Sequence, residues 1–323
     1  MKKGNKTALI AAGCMVLVGA ILVAAGMAAL RFDISRLRAS DYETTSYTIG
    51  EGFSGISITG WSSNVRFYPS EDDTCRVVCR ENKNISFEVG VLDDTLYIRR
   101  PKAPKFYVQF GVQFGETGIT VYLPEDSYDS LTLKTSSGDV KLPEDFHFTS
   151  ARVEAASGEI RIHSSVAAEE AVSSQSGNIY VKDTAPEVLS IQSTSGAITA
   201  ENVEAREDIQ IKSTSGDITL SHVHGNAIEA SASSGELALN QVTAKEDLNL
   251  KTTSGDITLN GCDGNALDIQ STSGRVSGSL LSQKTFDIHT KSGTVEAPHS
   301  ASGGICRVTT TSGDVTLRIT PDP

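Results

Sequence analysis

Aromatic residues are scarce in this chain, at 6% of 323 residues, and the apolar content rests on Val, Ile, Leu and Ala. A core without large rings has to be narrow and layered, and the length leaves room for more than one. Positive charge is short as well: 28 Lys and Arg stand against 40 Asp and Glu, a formal net charge of −12. That balance argues against nucleic acid or anionic lipid as a main partner of the folded part, since both require a cationic surface. Cysteine is present without a useful pattern. Cys75 and Cys79 lack zinc-pair spacing, and on one straight strand they would lie about 13 Å apart, beyond disulfide reach. Cys14 falls in an apolar run, while Cys262 and Cys306 occupy different repeat columns, so buried thiols are expected rather than bridges. Long loops are missing too. A polysaccharide lyase or hydrolase on a β-helix needs acids and bases clustered in a loop-built cleft. Here the turns are short and outward positions such as Thr199, Thr219, Thr258 and Thr316 are bland, so the chain reads as a non-enzyme without cofactor.

What is abundant is one phrase. Residues 131–317 repeat it, most clearly as Ser213-Thr214-Ser215-Gly216-Asp217-Ile218-Thr219-Leu220. Its glycines are Gly138, Gly158, Gly177, Gly196, Gly216, Gly235, Gly255, Gly274, Gly293 and Gly313, spaced by 19 or 20 residues. Serine always precedes the glycine, and Val, Ile or Leu always stands two residues after it. A fixed period in this range marks stacked units, each too small to bury its own apolar face. Within a unit Ile209, Ile211, Ser213 and Ser215 share one parity and Ile218 and Leu220 the other, so the inward face switches at Ser-Gly. Strand side chains alternate between faces, and such a switch needs a bend at which glycine is the cheapest residue. Each unit is then strand, Ser-Gly corner, strand and looser turn.

A β-solenoid and an antiparallel meander both accommodate that unit. The solenoid is favoured because stacking puts like positions next to one another at about 4.8 Å, which explains the uniform columns. Among these is a small residue two before the corner serine (Thr135, Ala155, Ser174, Ser193, Thr252, Thr310). The expectation is an all-β, parallel β-helix-like solenoid of about ten coils over 129–319, followed by a tail at 320–323. An irregular β cap of opening coils is expected over 44–128, with strands around Ile56–Ile58, Val65–Phe67, Cys75–Cys79, Ile85–Phe87, Leu96–Ile98 and Ile119–Leu123.

Ahead of the β region, residues 7–30 run without a charge after Lys2, Lys3 and Lys6. The run is long enough to span a bilayer and longer than the apolar core of a cleaved signal peptide. Residues 1–6 are therefore expected inside the cell, 7–30 as a transmembrane signal anchor, 31–43 as a linker, and the β region outside. The membrane itself is thus the first expected partner.

The segment Val121-Tyr122-Leu123-Pro124-Glu125, the run from Leu131 to Val140 and the recurring Ser-Gly-Asp-Ile resemble the bacterial "putative adhesin" family of β-strand-repeat domains. Asp93-Asp94-Thr95-Leu96-Tyr97-Ile98 is similar to that family's strand entering the repeats. The resemblance covers about 50–317 and implies an exported envelope protein of adhesin-like, non-catalytic binding or scaffold type. Membrane-anchored relatives in cell-envelope stress operons share this layout, which implies a sensory accessory as the runner-up. The partner implied is a surface protein or glycan, with self-association as a further option.

Candidate sites are few. After the corner glycine come Asp217, Glu236 and Asp256, which a solenoid would stack within reach of a hard cation. Ala197, Arg275 and Thr294 interrupt that column, so solvated turn carboxylates are the simpler reading. His222 and His224 flank Val223 as a metal pair might, without a third ligand at suitable spacing. The stretch containing Phe106, Tyr107, Phe110 and Phe114 carries apolar groups on both parities. It is either a cap strand between two layers or an apolar edge offered to a partner.

Overall fold

The structure is a computed structural model that describes residues 42–60, 62–82, 86–100, 117–300 and 302–320. The expected anchor at 7–30, Ile85 and the aromatic stretch from Phe106 to Phe114 lie outside the described residues. The chain divides into two units, Met1–Tyr42 with Lys102–Gly115, and Glu43–Pro101 with Glu116–Pro323. The second holds the β architecture, and every element among the described residues is a strand.

Parallel pairing settles the choice between solenoid and meander. Ile198, Ile218, Leu237 and Ile257 are register partners in successive coils. Ile191, Ile211 and Ala230 are likewise partners on the other sheet. The strands before the corners form a 13-stranded sheet and those after them a 14-stranded one. Their inward residues meet in one continuous aliphatic core from Ile56 to Leu317. Regular turns number about nine rather than ten, because the coil with corner Gly293 is degenerate, its second strand being only Val295–Glu296.

Burial follows the alternation with one adjustment. Ile209, Ile211 and Ser213 point inward, Thr214 and Ser215 both face out, and Gly216, Ile218 and Leu220 point inward again. Ser215 therefore does not share the inward face of Ile209; the two-residue outward step is the corner. Gly216 is required there by close approach, since a Cβ would stand 2.0 Å from the carbonyl oxygen of Gly196.

Five consecutive units, with corners Gly177 to Gly255, also contain a second bend that the sequence reading did not anticipate. Asp183, Asn202, His222 and Gln241 have φ between 51° and 57°, and Gly261 has φ of 61°. These left-handed residues fall in one column at the same 19–20-residue spacing. They shift the parity once more, so that Leu220 and Val223 both face the core. A left-handed residue inside a strand is a bulge, and Asn, Asp and Gly tolerate that conformation best.

The order of coils reverses at both ends. The chain's first coil, strands Gly55–Thr59 and Ser63–Pro69, is paired in parallel on both sides. Its outer neighbours are Thr95–Arg99 and Thr117–Leu123, which come later in sequence. Antiparallel strands Glu88–Leu92 and Cys75–Asn82 flank that outer coil. The expected cap region thus contains two parallel coils as well as irregular strands. Aromatic side chains gather at this end, with Tyr128 stacked between Phe53 and Phe148 and Phe67 edge-on to Phe146.

At the other end the chain's last coil, Gly304–Ser312 and Val315–Ile319, inserts between two earlier ones. It pairs inward with Ala266–Ser271 and Val276–Leu280, and outward with Lys284–Ser292 and Val295–Glu296. Lys284 bolts this arrangement. It belongs to the outermost coil, is 3% exposed, and its Nζ donates to the Gly264 carbonyl at 2.7 Å and to Ser282 Oγ at 2.8 Å. Asp263 Oδ1 lies 2.6 Å from the same ammonium. Gly304 occupies the coil between, opposite Lys284, where a Cβ would meet the Asn265 carbonyl oxygen at 1.8 Å.

Candidate functional site

The corner is the most built feature of the molecule. At five corners the small residue three before the glycine is an inward hydroxyl that accepts the glycine N–H: Ser174 from Gly177, Ser193 from Gly196 and Ser213 from Gly216, at 2.8–2.9 Å. Thr252 and Ser271 do the same for Gly255 and Gly274. Sequence reasoning had these residues stacking on their own kind; their further role is to satisfy an amide that the bend removes from the ladder. Thr135 and Thr310 stand in the same column with hydroxyls that have no partner.

The residues after the glycines form a second ladder. Asp139 accepts the N–H of Glu159, Asn178 that of Ala197, Asp217 that of Glu236, and Asp256 that of Arg275, at 2.8–3.0 Å. Asp314 accepts from both the amide and the hydroxyl of Thr294, and these bonds hold its carboxyl below the usual range. Asp217, Glu236 and Asp256 thus lie in successive coils, and two of the three spend an oxygen on the next coil's amide. Among the described residues no group of three or more His, Cys, Asp or Glu could hold a metal ion. His222 supplies the left-handed bend, and His224 Nδ1 meets Thr243 Oγ1 of the next coil.

Beside the corners a surface groove of about 690 Å³ runs along the stack. Lys134, Glu154, Ser173, Gln192, Lys212 and Ser231 are register partners in six successive coils, and all line it. Lys134 pairs with Glu154 at 3.0 Å and Lys212 with Glu229 at 3.5 Å. Such exposed pairs contribute at most about 1 kcal/mol each. Gln175, Thr194 and Thr214 line it as well. The groove presents donors and acceptors at rung spacing of about 4.8 Å, a row suited to non-covalent contact with an extended chain.

The buried reactive groups face inward. Cys75, Cys79, Cys262 and Cys306 are all buried; burial pushes the Cys75 and Cys306 thiols up to about 12 and raises Cys262 as well. Glu170 is fully buried in the column Leu131, Ala151, Glu170, Leu189. Desolvation raises its pKa to about 7, opposed by a hydrogen bond from Thr184 Oγ1 to Oε2. Its Oε1 has no partner, and neither does the buried Ser164 Oγ.

Corner hydroxyls, post-corner acceptors and stacked aliphatic columns define a parallel β-solenoid of the Ser-Gly repeat class. The chain belongs to the Toastrack DUF4097 family, whose model matches residues 53–318. Several solved structures resemble the chain at low identity. A "putative adhesin" from Parabacteroides merdae is 15% identical, with a TM-score of 0.46 over 86% of this chain and 96% of that one. A "putative lipid binding protein" from Parabacteroides distasonis is 14% identical, with a TM-score of 0.47 over 86% and 97%. A "putative adhesin" from Bacteroides fragilis is 16% identical, with a TM-score of 0.40 over 87% and 98%. No curated protein matches the chain.

Proposed function

We propose that this protein is a membrane-anchored, extracytoplasmic β-solenoid that acts as a non-catalytic binding or scaffold module of the bacterial cell envelope. The observation that carries the binding role is the six-coil polar row from Lys134 to Ser231 beside the corners. Rigid stacking holds the backbone of its donors and acceptors at a fixed spacing, so an extended protein or glycan strand of the envelope meets them without a backbone ordering cost on this side. The uncharged run at 7–30 behind three lysines supports the anchor and an outside β domain. Phe106, Tyr107, Phe110 and Phe114 supply a second, apolar contact.

Two experiments test this. Protease added to intact, wall-stripped cells removes residues 31–323 if the orientation is right, and full protection refutes it. Replacing Lys134, Gln192 and Lys212 by Ala weakens retention of the purified protein on cell envelopes, as Phe110→Ser with Phe114→Ser does for the aromatic contact, with the melting temperature unchanged. Retention that survives both sets of changes removes the binding role.

A further inference from the structure

The two ends of the solenoid are finished differently. At the end nearer the N-terminus, the outer coil is flanked by the antiparallel strands Glu88–Leu92 and Cys75–Asn82. At the other end, the edges of the two sheets are Val295–Glu296 and Lys284–Ser292. The first is two residues long and runs towards Pro298, which has no N–H to offer. The second is nine residues long, and among the described residues its outer side pairs with no strand. Its inward residues Phe286 and Ile288 are only partly buried, and Val295 beside them is 46% exposed. An edge of that length with an apolar floor is a template for another strand.

We infer that this edge joins two copies of the chain, the strand Lys284–Ser292 pairing antiparallel with itself about a two-fold axis at Ile288. Charge and apolar matching together select the occupant and the register. Centred on Ile288, the pairing sets Asp287 opposite His289 of the second copy, twice by symmetry. Phe286 then faces Thr290, and Thr285 faces Lys291, so no like charges meet. Centring on Asp287 would oppose two carboxylates, which destabilises a sheet, and centring on His289 would set Ile288 against Thr290 on the core side instead of against its own copy. Within one chain His289 Nε2 already lies 2.9 Å from Asp287 Oδ1, so the pair is in place to exchange partners. Both copies keep Phe286 and Ile288 on the core side, and the aliphatic column continues across the junction. Because the opposite end of the solenoid carries different strands, the contact is isologous and closes as a dimer instead of growing into a fibre.

The test uses the full-length chain in mild detergent, in a Cys14→Ala background. Wild type sediments as a dimer. His289→Asp and Asp287→His each give monomers, and the exchanged double variant restores the dimer. His289 is 74% exposed, so the His289→Asp monomer keeps the far-ultraviolet circular dichroism spectrum of the wild type. Under mild oxidation Ile288→Cys cross-links to itself, whereas Thr219→Cys, mid-array and outward, does not. A monomeric wild type overturns the inference. So does a dimer that survives His289→Asp without cross-linking at residue 288, or a foreign polypeptide cross-linked there in place of a second copy.

Discussion

Gly313 lies between Gly274 and Gly293, although both precede it in sequence. A Cβ on Gly313 would stand 2.1 Å from the Gly274 carbonyl oxygen, and one on Gly293 would stand 2.2 Å from that of Gly313. The spatial order is therefore 274, 313, 293, and the last coil of the chain is an internal one. Ending the chain at residue 303 should not merely shorten the stack by its final coil. It should strand the outermost coil, and hydrogen exchange of the amides of 284–292 should lose its protection. Retained protection there would mean that the coils can stack in chain order.

Lys284 fastens that inserted coil, and its ammonium is satisfied by Asp263, Gly264 and Ser282. Removing one partner of a buried pair costs up to about 3–5 kcal/mol, less where the remaining charge reaches water. Asp263 is 22% exposed, so Lys284→Met is expected to cost about 2 kcal/mol in denaturant unfolding. The loss should appear first as exchange at 284–296 and 304–319, with the coils around Gly196 and Gly216 unaffected.

Ile218 is fully buried between Ile198 and Leu237, whereas Thr219 faces solvent. Ile218→Asp places an unpaired carboxylate between coils and should cost several kcal/mol. Thr219→Asp should change stability by no more than about 0.5 kcal/mol. Equal losses in urea titrations would contradict the alternation.

Gly216→Ala should be as harmful as a core substitution, although it adds one methyl group. The new Cβ would meet the Gly196 carbonyl at 2.0 Å, which the backbone can relieve only by opening the corner. A loss of about 3 kcal/mol or more is expected, against almost none for Gly50→Ala, where nothing lies within 4 Å. Thermal unfolding of the two variants separates them.

Glu170 makes stability depend on pH in a direction opposite to that of a paired carboxylate. Its folded pKa is about 7, raised from 4.5 by desolvation. Below pH 4.5 both states are protonated and burial carries no charge penalty. As pH rises from there to about 7, only the unfolded chain ionises, so stability falls, and above 7 the penalty is constant. At 1.36 kcal/mol per unit the loss is on the order of 3 kcal/mol. Glu170→Leu should abolish that slope in stability measured against pH, with Ala151 leaving space for the larger branch. A slope unchanged by the substitution would assign it to another group.

The repeat, the corner and the inward columns were legible in the sequence because each is a local demand. Side chains alternate along a strand, a parity switch at close approach selects glycine, and both recur every 19 or 20 residues. The left-handed column at Asp183, Asn202, His222 and Gln241 had the same spacing but no single residue type. Asp183, Asn202 and Gly261 accept that conformation readily, whereas Gln241 takes it because stacking imposes it. The order of coils was not written locally at all. Both Val295 and Val315 stand at the column position of Val276, and it is Val315, the later in sequence, that pairs with it. Only the folded chain decides between them, through the connections at 281–283 and 297–303, the bare backbone of Gly303 and Gly304, and the reach of Lys284 across the coil between.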